Sequence, residues 1–201
     1  LEESFPLAVR MGEKLRYTGY VAPQAPPGAR EDSGEIVVSA GGSGVGLSLL
    51  RAAIAARKLS RFSRLRWRVL TSAGIGADEA KALAEGEGPR LIVEPARSDF
   101  LALLASARLS VSQAGYNTVM DVLTARTRAV FVPFEGEGET EQTLRARRLS
   151  QRLKGIAVVA ERELSPERLA AAIDMTADGP APDPAAIGLD MNGAQTTARI
   201  L

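Results

Sequence analysis

The sequence contains neither cysteine nor histidine. Without cysteine the chain can form no disulfide framework and no thiolate metal site, and without histidine it lacks the commonest general base and metal ligand. Its 25 basic and 24 acidic side chains nearly balance, so net charge gives no reason to expect nucleic-acid binding. The sequence also lacks a signal-peptide pattern and any apolar run long enough to span a bilayer. We therefore expect a cytoplasmic globular protein that does not bind nucleic acid.

The residues that are present predict alternating strands and helices. The chain is 45% hydrophobic, which is ordinary for a protein with a buried core. Short apolar runs predict six strands, at residues 36–40, 67–71, 91–94, 109–112, 129–132 and 156–159. Helices are predicted between them and after them, at about 45–58, 77–85, 98–107, 141–153, 166–175 and 192–201. A further helix follows the turn after the strand at 109–112 and ends at about residue 125. Ser98 and Ser165 are predicted as helix N-caps.

This alternation is typical of an α/β fold with a doubly wound, Rossmann-like parallel sheet of six strands. The simplest strand order is 3-2-1-4-5-6, which places strands 1 and 4 at the topological switch point where ligands bind. We expect a nucleotide-binding domain at residues 35–177. Residues 1–34 are interpreted as an irregular interdomain segment, and residues 178–201 as a linker followed by a terminal helix.

Two glycine-containing turns follow strands 1 and 4. The second turn reads Ser-Gln-Ala-Gly-Tyr-Asn-Thr at 112–118 and opens a helix, whose N-terminus would suit a phosphate. The first, at 41–46, has Leu47 where a Walker A motif requires lysine, so a P-loop NTPase is not expected. It does not read G-x-G-x-x-G either, which disfavours a dinucleotide site. A purely structural role, permitting a tight turn, remains the alternative for both turns.

The motif at 112–118, followed by Asp121, Val132-Pro133-Phe134, Glu141-Gln142 and Arg145-Ala146, resembles the donor-binding half of GT-B glycosyltransferases. The resemblance is greatest to family 28, which includes the bacterial N-acetylglucosaminyltransferase of peptidoglycan synthesis, and within it to a group of predicted bacterial members. It covers roughly residues 14–160 and implies the C-terminal half of a GT-B fold. The segment Lys14 to Val21 is similar to the stretch that joins the two halves.

The resemblance implies donor-binding roles for individual residues. The helix start at Gly115 would face the diphosphate, Thr118 would add a hydroxyl to the phosphates, and Asp121 would bind the ribose hydroxyls. Glu141 and Gln142 would contact the sugar, and the backbone around Ala96 and Arg97 would read a pyrimidine. The full set of donor-binding residues predicted in this way is Gly42, Ser43, Gly44, Ala96, Arg97, Ser112, Gln113, Gly115, Asn117, Thr118, Asp121, Glu141 and Gln142.

Several of these residues have plainer interpretations. Asp121 could be a solvated helix acid, and Gln142 could merely line the start of a helix. The glutamates at 135, 137, 139 and 141 suggest a cation site, but a solvated loop is the better interpretation because the glycines between them fix no ligand geometry. Arginines at 61–68 predict a charged surface before a strand. Those at 145–152 predict a solvated helix face from which Arg145 could reach the site.

The resemblance implies a glycosyltransferase that transfers a hexosyl group from a nucleotide sugar, expected to be UDP-linked, to an acceptor hydroxyl. No metal or other cofactor is expected. The acceptor would bind to an N-terminal domain outside this chain, so the chain is expected to bind a donor but not turn it over alone. Association with a membrane surface is expected, if at all, only in the full-length protein. A nucleotide-sugar epimerase or hydrolase of the same fold, or a non-catalytic sugar-nucleotide binding module, remain alternatives.

Overall fold

The structure is a computed structural model that describes residues 8–25, 34–41, 46–85 and 88–201. Its centre is a six-stranded parallel sheet with the order β3-β2-β1-β4-β5-β6. The strands are β1 (Ile36–Ser39), β2 (Trp67–Thr71), β3 (Leu91–Pro95), β4 (Leu109–Ser112), β5 (Ala129–Phe131) and β6 (Ile156–Val158). The doubly wound, Rossmann-like fold and its predicted strand order are therefore confirmed.

The helices follow the strands in alternation. They are α1 (Ala8–Met11), α2 (Leu47–Leu59), α3 (Ala77–Ala84), α4 (Phe100–Ser106), α5 (Tyr116–Ala125), α6 (Glu141–Arg152), α7 (Pro166–Thr176) and α8 (Gly193–Ile200). The start of α7 follows the predicted pattern, because the Ser165 hydroxyl accepts a hydrogen bond from the Arg168 amide at 3.2 Å, with Pro166 at the first helical position.

The helices cover both faces of the sheet and bury two apolar layers. One layer joins α2, α3 and α7 to side chains such as Val38, Trp67 and Val111. The other joins α4, α5 and α6 to side chains that include Val37 and Phe131. Strands covered on both faces have no solvent side, which is why their sequences are almost uniformly apolar.

The segment around Val21 contacts the segment just before α8. Val21 and Asn192 form an antiparallel bridge, and the Gly193 amide donates to the Tyr20 carbonyl at 2.9 Å. A Cβ on Gly193 would lie 2.6 Å from the carbonyl oxygen of Gly19, so this approach requires glycine. The described part of the segment before residue 35 is thus tied to the segment before α8.

The prediction of irregular structure before residue 35 is wrong at residues 8–14, where a helical turn at Ala8–Met11 continues into a 3₁₀ turn at Gly12–Lys14. The described residues 15–25 form no helix, and the interdomain role of this segment stays a prediction. Ser98 is not the N-cap of α4, because that position belongs to Asp99. The guanidinium of Arg97 donates to both carboxylate oxygens of Asp99 at 2.7 Å, which leaves that carboxylate serving an ion pair rather than the helix amides.

Candidate functional site

The candidate site lies at the carboxyl ends of β1 and β4, the switch point of the sheet. A cavity of about 220 Å³ opens there, in front of the N-terminus of α5. The described residues that line it are Gly41, Gln113, Gly115, Tyr116, Asn117, Thr118 and Gln142. The structure therefore brings together five residues that the sequence predicted for donor binding.

Backbone amides at the start of α5 face this region without hydrogen-bond partners among the described residues. The first hydrogen bond within the helix runs from the Val119 amide to the Gly115 carbonyl, at 3.0 Å. No side chain among the described residues caps the helix. The amides of Tyr116, Asn117 and Thr118 are therefore available, and together with the helix dipole they form an anion-binding group.

Gly115 is not required by the fold. Its φ of −59° is open to any residue, and a Cβ at this position would meet no atom within 4 Å. The absence of a side chain leaves the helix start open to the cavity. Neither the backbone conformation nor the packing explains why this residue is glycine. Close approach of a ligand to the backbone would explain it.

Gln142 connects α6 to the motif at the start of α5. Its Oε1 accepts hydrogen bonds from the amide of Ala114 at 3.1 Å and from the amide of Phe134 at 3.2 Å. This carbonyl is consequently occupied in holding two loops together, and the side-chain NH₂ is the part left for a ligand. The structural and ligand-binding interpretations of Gln142 thus apply to different atoms of the same side chain.

Ser112 and Gln113 are two buried polar residues that immediately precede the turn into α5. The Ser112 side chain is completely buried and its hydroxyl has no partner among the described residues. Gln113 is 6% exposed and lines the cavity. Buried polar groups are normally hydrogen-bonded, but Ser112 does not line the cavity, and its hydroxyl is one of several buried hydroxyls that have no partner among the described residues.

Asp121 lies one turn along α5 from Asn117, on the same helix face, but does not line the cavity itself. The carboxylate is half-buried, and burial raises the pKa of Asp121 above its ordinary value. Among the residues that the structure describes, no hydrogen bond or ion pair offsets this burial. A carboxylate kept partly desolvated and unpartnered beside a cavity is a candidate for binding a hydroxyl.

The first glycine turn is described only at its ends. Gly42, Ser43 and Gly44 lie outside the described residues, so their predicted roles stay predictions. Gly41 has a φ of +71° and lines the cavity. A Cβ on Gly46 would come within 2.2 Å of the Ala40 Cβ, so this glycine is required by packing. The structural interpretation therefore applies to Gly46.

The structure places Ala96 and Arg97 apart from the cavity, beyond the carboxyl end of β3. The Ala96 amide donates to the Thr71 carbonyl at 2.9 Å. Arg97 is held by Asp99 and, at 3.2 Å, by Glu94. The Ala96 amide and the Arg97 guanidinium are therefore both engaged within the protein.

Glu141 also stays outside the cavity. Its side chain is 58% exposed and lies 3.5 Å from the guanidinium of Arg145. The sequence-based selection missed Tyr116, which lines the cavity and stacks on Tyr20 with ring centroids 6.4 Å apart. The only signal for Tyr116 was its place inside the motif at 112–118.

Two described carboxylates of the glutamate-rich loop before α6 are engaged within the protein. Glu135 pairs with Arg162 at 3.3 Å, and the Glu139 carboxylate accepts from the amides of Glu141 and Gln142. No group of three potential metal ligands occurs among the residues the structure describes. Likewise, no helix in the described ranges is long and apolar enough to cross a membrane.

Larger cavities occur elsewhere, including one of about 500 Å³ beside α2 and α3 and one of about 470 Å³ between α3 and β3. Neither includes the N-terminus of α5. The chemistry of the lining, rather than the volume, therefore favours the cavity at α5.

Comparisons with known proteins identify the family of this chain. Residues 36–186 match the model of the glycosyltransferase family 28 C-terminal domain. An uncharacterised glycosyltransferase of Methanopyrus kandleri is 30% identical over 174 residues, covering 87% of this chain and 46% of that protein. The UDP-N-acetylglucosamine–N-acetylmuramyl-(pentapeptide) pyrophosphoryl-undecaprenol N-acetylglucosamine transferase of Burkholderia orbicola is 39% identical over 93 residues, covering 46% of this chain and 24% of that protein.

The fold has solved counterparts. The crystal structure of MurG from Acinetobacter baumannii matches with a TM-score of 0.62 at 19% identity, over 87% of this chain and 50% of that one. The chain thus spans half or less of the length of these relatives. The family match covers the sheet and the motif at 112–118 alike. The chain belongs to glycosyltransferase family 28, and residues 36–186 are its C-terminal domain.

Proposed function

We propose that this domain binds the nucleoside diphosphate part of a nucleotide sugar, with UDP-linked sugars as the expected class. In the complete protein the bound hexosyl group would pass to an acceptor hydroxyl held by an N-terminal domain. The name of the Burkholderia orbicola relative includes UDP-N-acetylglucosamine, and family membership supports a shared donor class. Without an acceptor domain, the chain alone would bind a donor but not transfer its sugar.

The observation that carries the proposal is the set of unpartnered amides at the start of α5, facing a cavity that Gly115 leaves open. A diphosphate at this position would accept hydrogen bonds from the amides of Tyr116, Asn117 and Thr118. The Thr118 hydroxyl would add a further donor, and the Asp121 carboxylate would accept from ribose hydroxyls.

The reaction needs little more from this domain than charge stabilisation. The acceptor oxygen forms a bond to the anomeric carbon while the bond from that carbon to the phosphate oxygen breaks. The electron pair leaves with the nucleoside diphosphate, and the hydroxyl proton passes to a base of the complete protein. Fixed dipoles aimed at the leaving oxygen stabilise it without reorganisation. No cofactor is part of this proposal.

Replacing Gly115 with alanine tests the proposal, and the chain provides a matched control. Gly76 is also an N-cap, at α3, with a φ of −63°, and a Cβ added to it would meet no atom within 4 Å. Gly115→Ala and Gly76→Ala should therefore both fold with near-native stability. UDP, GDP, ADP and dTDP should be titrated into each variant and into the unmodified chain by calorimetry.

We expect one nucleotide to bind the unmodified chain and Gly76→Ala equally, and Gly115→Ala at least about tenfold more weakly, because the methyl group occupies the path of the diphosphate. Equal binding by both variants would reject the site at α5. A folded chain that binds none of the four nucleotides would contradict the proposal for this domain.

A further inference from the structure

Among the residues that the structure describes, none that lines the cavity at α5 carries a charged side chain. Its described lining consists of glycines, amides, one hydroxyl and one tyrosine. Residues 42–45, which the structure does not describe, read Gly-Ser-Gly-Val and contain no ionisable side chain. A departing nucleoside diphosphate gains negative charge, so a cation beside this neutral lining would have a direct use.

Arg145 is placed to supply that cation. It lies one turn along α6 from Gln142, and its side chain is 22% exposed. Its Nη1 donates to the Ala114 carbonyl at 2.8 Å, one residue before Gly115. The guanidinium carbon lies 5.8 Å from the centroid of the Tyr116 ring, within the range of a cation–π contact. Two independent contacts thus hold the positive charge beside the first residues of α5.

The present partner of Arg145 is weak. Glu141 lies 3.5 Å from its Nη2, on the exposed side of α6, with 58% of the carboxylate side chain in contact with solvent. Exposed ion pairs of this kind contribute little to stability. A diphosphate would be a stronger partner, because a guanidinium can donate two parallel hydrogen bonds to phosphate oxygens.

We propose that Arg145 is a diphosphate-binding residue of this site and that Glu141 competes with the ligand for it. This inference rests on the proposed function. It adds that discrimination between a nucleoside diphosphate and a monophosphate comes from this side chain. Glu141, predicted from the sequence to contact the sugar, acts instead through Arg145.

The test compares UDP with UMP in three variants of the 201-residue chain. Arg145→Gln removes the charge at the site. Arg147→Gln removes the same charge from an exposed position on the same helix and is the control. Glu141→Gln removes the competing carboxylate. Calorimetric titrations at two salt concentrations, with thermal unfolding of each variant, give the required quantities.

For Arg145→Gln we expect UDP affinity to fall about tenfold or more while UMP affinity changes by less than about threefold. Its UDP affinity should also depend less on salt. Glu141→Gln should raise UDP affinity by about two- to threefold, and Arg147→Gln should leave it unchanged.

A merely structural role for Arg145, supporting the Ala114 carbonyl, would lower UDP and UMP affinity in parallel and lower the unfolding temperature. That result, or unchanged UDP binding by Arg145→Gln, would overturn the inference while leaving the proposed function standing. If the unmodified chain bound no nucleotide at all, the proposed function would fail and this inference with it.

Discussion

Replacing Asp121 with asparagine should stabilise the domain and weaken its nucleotide binding at the same time. The carboxylate is half-buried on α5, and burial raises the pKa of Asp121 with no partner among the described residues to offset it. The ionised side chain therefore destabilises the folded state. The asparagine amide has nearly the same shape but no charge. It is therefore a weaker hydrogen-bond acceptor for a ribose hydroxyl than the carboxylate is.

The sign of the pH dependence follows from the raised pKa. In the folded state the carboxyl holds its proton to higher pH than in the unfolded chain, whose carboxyl has a pKa near 3.9. Stability therefore falls as pH rises from that value through the raised pKa of Asp121. The advantage of Asp121→Asn should be largest at pH 7 and vanish below about pH 4.

The expected gain at pH 7 is of the order of 1 kcal/mol, the low end of the cost of burying an uncompensated polar group. For a domain of this size it corresponds to a rise of about 2–4 °C in Tm. The loss of a hydrogen bond to a charged group should weaken UDP binding by about 1.5–3 kcal/mol. Urea unfolding at pH 4 and 7, together with calorimetry, measures these quantities.

Asp174→Asn is the control with the opposite sign. The carboxylate of Asp174 accepts from the Ser60 hydroxyl at 2.5 Å and from the Arg61 amide at 3.2 Å. Its replacement should lower stability and leave UDP binding unchanged. The reasoning about Asp121 is refuted if Asp121→Asn lowers stability at pH 7, or if its effect on stability is the same at both pH values.

Three further substitutions test contacts that stabilise the fold. Tyr116→Phe removes the hydroxyl that accepts from the Val21 amide at 3.0 Å; we expect a loss of about 1 kcal/mol and faster hydrogen exchange at Val21. Gly193→Ala places a Cβ 2.6 Å from a carbonyl oxygen, which should cost about 1–3 kcal/mol and raise exchange throughout α8. Burial would raise the pKa of Glu35, but hydrogen bonds from Arg68 and a neighbouring arginine lower it overall. Glu35→Gln should therefore cost about 3 kcal/mol at neutral pH in urea unfolding, and less as pH falls through the lowered pKa.

The strand order could be predicted because it depends on the alternation of strands and helices along the chain rather than on individual side-chain contacts. Short apolar strands alternating with helices leave few arrangements for a parallel sheet, and the two glycine turns then fall at its switch point. The motif at 112–118 could be placed at a helix start from its spacing alone. Those inferences use local sequence and general topology, which the chain provides directly.

The partners of individual side chains were not predictable in the same way. Arg97 is engaged by Asp99 and Glu94, and the Gln142 carbonyl by amides from two separate loops. These contacts depend on where loops settle once the sheet has formed. A motif predicts that a residue is near a site, but not which of its atoms the protein itself uses. For the same reason, the packing role of Gly46 could not be predicted from the sequence, because it depends on where Ala40 lies in the folded protein.

The most direct test of the central claim is a titration of the ¹⁵N-labelled chain with UDP, followed by NMR at each backbone amide. We expect the largest chemical-shift changes at Tyr116, Asn117 and Thr118, whose amides have no hydrogen-bond partner in the part of the chain that the structure describes. Saturable shift changes confined to another region, such as the cavity between α3 and β3, would contradict it.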